Sequence, residues 1–267
     1  MPPSKGLAAV AVAAVALGAL SASQADASRL SVMFTNEQAS DEFFFTPLVT
    51  TLHNGMFDPF NVGEAASPGI QEIAEEGSPA RFIADNPGQN ISVIGNPDGF
   101  PGAPVIDPGE TASLEIAVSD KSETRYLSFL SMLIPTNDVF IGNDNPLAYE
   151  IFDANGNSNG PLTIQIFGSG LWDAGTEVDN GQGAPFSTIG GTRTDQNGTI
   201  QPALASGSLD VFLGTGTPAG TTIGRLPGEG DLLATIEVAP VPLPAALPLF
   251  AAGLGGLAYF GRRRRKA

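Results

Sequence analysis

Hydrophobic residues through the middle of the chain recur with a period of two or in short runs, and rarely with the period of a helix. Leu114, Ile116 and Val118 alternate with Glu115 and Ala117, the pattern of a strand with one buried face. Residues 29–35, 111–118, 125–134, 148–152, 162–167, 208–213 and 232–238 are predicted strands on β-branched and aromatic content. Only residues 68–85 carry a plausible helical period. Between the runs stand Asn-Gly pairs at 54–55, 155–156, 159–160, 180–181 and 197–198, each a turn signal because glycine takes a positive φ without strain. Many short strands separated in this way predict an all-β fold, an antiparallel β-sandwich with one short helical segment, rather than a parallel α/β sheet. Residues 28–238 are read as one domain, long enough to build a hydrophobic core unaided.

The two ends follow another pattern. Residues 241–261 are 21 consecutive uncharged positions followed by Arg262 to Arg265 and Lys266. That length matches the ~20 residues a helix needs to cross ~30 Å of hydrocarbon. No polar face interrupts the segment as it would in a core helix, so a transmembrane helix with its basic tail in the cytoplasm is predicted. At the other end Lys5, an apolar stretch over 6–20 and Ala25-Asp26-Ala27 predict a signal peptide over 1–27 and export of the body.

The tail also carries Val241-Pro242-Leu243-Pro244-Ala245 ahead of the apolar span. Motif, span and basic terminus in that order resemble the PEP-CTERM sorting signal of bacterial surface proteins, here over residues 239–267. The resemblance implies an exosortase-type processing protease as partner and transient anchoring in the inner membrane. Delivery to the cell surface or extracellular matrix would follow.

The ends also mask the charge of the body. The formal net charge is −16, but six of the 12 Lys and Arg lie in the two ends against one of the 28 Asp and Glu, which leaves the body near −21. Such a surface repels nucleic acid and anionic membranes, and favours solubility and cations. There are no cysteines, so disulfides are excluded despite the predicted export, and stability must come from packing or a metal.

Acidic side chains stand in several loops. Asp173 and Glu177 bracket Ala-Gly-Thr in a loop after the 162–167 strand, and Asp138 follows the 125–134 strand. Carboxylates from separate loops at one end of a sandwich repel unless something neutralises them, and they suit Ca²⁺, which takes six to eight oxygens in irregular geometry. Asp153-Ala-Asn155-Gly-Asn157 begins like an EF-hand loop. Its sixth position is Ser158 and its twelfth Ile164, so it reads as a hairpin turn.

Three ordered blocks give the body a family likeness. The first runs Phe45-Thr46-Pro47-Leu48, His53-Asn54-Gly55, then Phe60-Asn61-Val62-Gly63-Glu64-Ala65-Ala66-Ser67 to Ala74-Glu75-Glu76-Gly77. The second is Ile134-Pro135-Thr136-Asn137-Asp138-Val139-Phe140-Ile141-Gly142, and the third Trp172-Asp173-Ala174-Gly175-Thr176-Glu177. Together they resemble the spondin N-terminal domain of F-spondin and mindin, a β-sandwich. By that resemblance the family's calcium site falls on Asp138, Asp173 and Glu177, with Glu115 as a further ligand; Glu177 replaces an Asp of the animal members.

Signals for catalysis are thin. His53 is the single histidine and there is no Gly-x-Ser-x-Gly, which excludes Cys-His chemistry and a hydrolase elbow. His53 is expected to be a hydrogen-bonded structural residue and Trp172 a packing residue. The chain therefore reads as a non-enzymatic, exported, Ca²⁺-binding domain that meets a surface protein or glycan. A carbohydrate-active enzyme and a metal-free structural protein remain as alternatives.

Overall fold

The computed structural model describes residues 29–96, 103–217 and 219–241. The predicted signal peptide, and the predicted transmembrane segment beyond its first residue Val241, lie outside the described residues, and none of the described helices is long and apolar enough to cross a membrane.

The body is two antiparallel sheets. The strands are β1 (Arg29–Asn36), β2 (Phe44–Phe45), β3 (Leu48–His53), β4 (Asn90–Ile94), β5 (Thr111–Ala117), β6 (Tyr126–Ile134), β7 (Val139–Gly142), β8 (Leu162–Phe167), β9 (Leu171–Asp173), β10 (Gln201–Pro202) and β11 (Leu232–Pro240). One sheet has the order β5-β1-β11-β8, and the larger has the order β10-β9-β7-β6-β3-β4, with β2 also on β6. Short helices α1 (Pro68–Glu76), α2 (Ala80–Asp85) and α3 (Ala203–Ser206) fill connections.

The core explains which strands alternate. Leu30, Val32 and Phe34 of β1 meet Ile164, Ile166, Ile236 and Val238 of their own sheet and Leu52, Leu127, Phe129 and Ile141 of the other. The far face of the larger sheet is covered as well: Val49, Leu130 and Phe140 pack on Ile70, Ile73 and Phe82 from α1 and α2. The central strands of that sheet are buried on both sides, so β3 and β7 are buried at every position and carry no period-two signal. Truncating Phe34 or Phe140, both fully buried, to alanine costs about 3–5 kcal/mol by lost transfer and cavity formation.

The helical prediction is corrected to two helices with a break. Ser67 caps α1, its Oγ accepting from the Ile70 amide at 3.3 Å, and Gly77 ends it at φ +65°. A Cβ on Gly77 would stand 2.3 Å from Thr46 Cγ2, so glycine is required where the helix stops. Two predicted strands are also corrected. Residues 208–213 instead form a 3₁₀ turn at Asp210–Phe212, because Gly207 turns the chain at φ +78° and Leu209 and Phe212, three apart, are both buried. Residues 148–152 make only single bridges, Tyr126 with Glu150 and Phe152 with Ser158. There Ile151 and Phe152 both donate to the Arg125 carbonyl.

Candidate metal centre

The acidic site grows from the end of β6. After Ile134 the chain turns through a cis bond to Pro135. Thr136 Oγ1 then accepts from the Val139 amide at 3.2 Å and donates to the Leu133 carbonyl. This turn leaves Asp138 at the mouth of β7. Strand β9 pairs with β7, setting Val139 opposite Asp173, and the Ala174 amide donates to the Asp138 carbonyl at 3.1 Å. Sheet register alone therefore brings Asp138 and Asp173 side by side.

Gly175 folds the next loop over them. Its φ is +68°, and a Cβ there would lie 2.7 Å from the Thr199 carbonyl oxygen, so only glycine fits. Its amide donates to Asp173 Oδ1 at 2.7 Å. The turn aims the Thr176 and Glu177 amides at Asp138 Oδ2, at 2.6 and 3.0 Å, with Thr176 Oγ1 at 3.1 Å. Asn137 holds the far side of the loop: its Oδ1 accepts from the Gly181 amide at 2.8 Å, while its Nδ2 donates to Glu177 Oε2 at 3.2 Å.

The loop delivers a third carboxylate. Oxygens of Asp138, Asp173 and Asp179 lie within 4.8 Å of one another. Asp138 and Asp173 are 0% and 1% exposed. Asp173 Oδ2 accepts from Gln201 Nε2 and Ser208 Oγ at 3.0 and 2.9 Å. Asp138 Oδ1 and Asp179 Oδ1 are buried and accept no hydrogen bond.

These unmet oxygens carry the electrostatics. Burial pushes Asp138 up from 3.8 to about 6, with the neighbouring Asp173 adding to the rise against the loop amides. Burial pushes Asp179 further, to about 8, and the charges of Asp173 and Asp138 add to it. At an effective dielectric near 20, two unit charges separated by such distances repel by about 3 kcal/mol. Three ionised carboxylates thus need a cation; without one, a proton must be shared.

Glu177 belongs to the neighbouring cluster. It is 1% exposed, with Oε1 3.4 Å from Arg193, which also pairs with Glu75 at 3.6 Å and with Glu76. Burial raises Glu177 to about 7; Asn137 opposes the rise and Glu75 adds to it. Glu115 is a correction to the expected ligand set. It sits on β5 of the smaller sheet, paired with Arg29 at 3.1 Å and half exposed, because its place in the alternation turns it to solvent. Asp179 was invisible to sequence reasoning, hidden in the Asp179-Asn180-Gly181 turn; the signal available was its position in the loop that starts at Asp173.

The other singled-out residues have ordinary roles. His53 is 1% exposed. Its Nδ1 accepts from the Gly55 amide at 3.1 Å, which leaves the proton on Nε2 to be donated to Ser128 Oγ at 3.0 Å. Burial lowers its pKa, so it stays neutral. Trp172 donates from Nε1 to the Gly142 carbonyl at 2.9 Å and packs edge-on to Phe60. Asp153 closes a turn, accepting from the Asn155 and Asn157 amides, both at 2.8 Å.

Two antiparallel sheets with loop-borne carboxylates gathered at one end define the class: a β-sandwich with an acidic loop end. Residues 33–199, more than half of the chain, match the Spondin_N family, and the chain belongs to it. The match ends before β10, α3 and β11, although β11 completes the smaller sheet between β1 and β8. No curated protein matches the chain.

Proposed function

We propose that this spondin-type domain is a non-enzymatic, exported interaction module whose acidic end binds one Ca²⁺, and that it acts at the cell surface or in the extracellular matrix. The observation that supports the metal is the pair of buried, unpartnered oxygens of Asp138 and Asp179 beside Asp173. The donor set fits: it is all oxygen, with neither imidazole nor thiolate, as a hard divalent cation requires. Asp138, Asp173 and Asp179 would hold the ion, and the ion would supply the charge that lets all three ionise. Glu177 stands beside the site as the partner of Arg193. The predicted leader and sorting tail support export, exosortase-type processing and transient membrane anchoring. The strongly acidic body argues against nucleic acid as a partner.

Thermal melting of the protein in millimolar Ca²⁺ and in chelator tests the site. Saturation at 100 times the dissociation constant adds about 2.7 kcal/mol. Equal melting temperatures in the two conditions would remove the metal from the proposal. Loss of surface binding in chelator would extend it from stability to interaction.

A further inference from the structure

The larger sheet has a second built end, far from the carboxylates. His53 of β3 pairs with Tyr126 at the start of β6, and Ile134 ends that strand. The eight steps from Tyr126 to Ile134 at about 3.3 Å each place the two ends about 26 Å apart. At the His53 end an open cleft of about 510 Å³ is walled by the 54–58 turn, the segment from α2 into β4, and Glu123. That size is in the range of small-ligand sites, most of which are apolar. This one is polar: Asn54, Asp58, Asn86, Gln89, Asn90 and Glu123 line it.

We propose that this cleft binds a neutral glycan. Its polar groups are held in place with capacity to spare. Asn54 Oδ1 accepts from the Met56 amide at 3.0 Å and its Nδ2 donates to Glu123 Oε2 at 2.8 Å, which leaves one amide hydrogen and one carboxylate oxygen side by side. Asn86 is fixed by donation to the Phe82 carbonyl at 2.8 Å, with its Oδ1 left to accept. A donor beside an acceptor is what a pair of adjacent sugar hydroxyls needs, since each hydroxyl both gives and takes a hydrogen bond.

The walls are also stiff and partly apolar. Gly55 turns at φ +97°, where a Cβ would stand 2.8 Å from Leu147 Cδ2. That turn projects Met56, 89% exposed, over the rim. Phe57, wedged between His53 and Phe82 with ring centroids 5.7 and 6.0 Å away, supplies a ring to the lining, suited to the apolar face of a sugar. Among the described residues no lysine or arginine lines the cleft, and Asp58 and Glu123 do, so phosphates, uronic acids and nucleic acid are disfavoured. The proposal stands whether or not the acidic end takes calcium, because no residue is shared.

The test is calorimetric titration of the full-length protein with four neutral hexasaccharides (cello-, manno-, malto- and chitohexaose), with polygalacturonate and with an oligolysine peptide, each in Ca²⁺ and in chelator. At least one hexasaccharide is expected to bind equally in both conditions. Asn54→Ala and Glu123→Gln should each weaken it about tenfold, the value of one charge-assisted hydrogen bond, Glu123→Gln with an unchanged melting temperature and Asn54→Ala with one lowered slightly by loss of the Met56 amide bond. Binding to none of the hexasaccharides, binding only to polygalacturonate or oligolysine, or affinity untouched by both substitutions would overturn it. Failure of the calcium response alone would leave it standing.

Discussion

Asp138 and Asp153 accept nearly the same hydrogen bonds and end in opposite states. Asp138 takes two amides and a hydroxyl, all on Oδ2. Asp153 takes two amides and the Asn157 side chain, spread over both oxygens. Yet Asp138 rises to about 6 through burial, while Asp153, at the surface, is lowered chiefly by the Asn157 side chain. Donors alone therefore do not decide the charge of a loop carboxylate. Desolvation and like-charged neighbours outweigh them once water is excluded, and a cation site is marked by charge left unmet, which the EF-hand-like spelling at Asp153 never has.

The contrast is sharpened most strongly by pH. Asp138, Glu177 and Asp179 all titrate higher in the folded protein than the 3.8 and 4.5 of free carboxyls. At these three groups the calcium-free fold thus binds more protons than the unfolded chain. Their contribution to stability should be complete below about pH 4 and be lost as the pH rises toward about 8. Asp138 accounts for about 3 kcal/mol over its whole titration but only about 1.4 kcal/mol of it between pH 5 and 8, so in chelator the melting temperature at pH 5 should exceed that at pH 8 by about 4 °C from this group and by about 10 °C once Glu177 and Asp179 add to it. A higher melting temperature at pH 8 would mean that the cluster is not frustrated, and saturating calcium should abolish the pH 5 advantage.

Next in size is Asp179→Asn. It should erase the calcium gain, about 8 °C at 100 times the dissociation constant, and at pH 8 in chelator it should melt above the unsubstituted protein because a repelling charge is gone. If calcium still stabilised the variant fully, Asp179 would not be a ligand. Asp153→Ala is expected to move the melting temperature by no more than about 2 °C and to keep the whole calcium response. Glu115→Gln, at an exposed ion pair, should change neither stability nor calcium response measurably; a lost response would return it to the site.

The comparison also shows why sequence reading succeeded unevenly. Strands β1, β5, β8 and β11 of the smaller sheet were legible because most of them expose one face, and β6 because it is long. Strands β3 and β7 were not, since helices α1 and α2 bury their second face and erase the alternation. Asp138 and Asp173 were legible from the family blocks; their adjacency is a consequence of β7–β9 register. Asp179 enters through a turn whose Asn-Gly looked like punctuation, and Glu177, correct in its loop, is claimed by Arg193, a residue whose reach across to α1 no local pattern announces.

Strands β1 and β11 run side by side, and the Val241 amide donates to the Arg29 carbonyl at 3.0 Å. The body is therefore entered and left at a single corner, like a parcel on one string. Tension between the two ends would open β1 from β11 bond by bond, as a zipper, rather than shear the sheet all at once. A domain with this geometry resists being unravelled poorly from that corner and is well suited to being carried as a pendant.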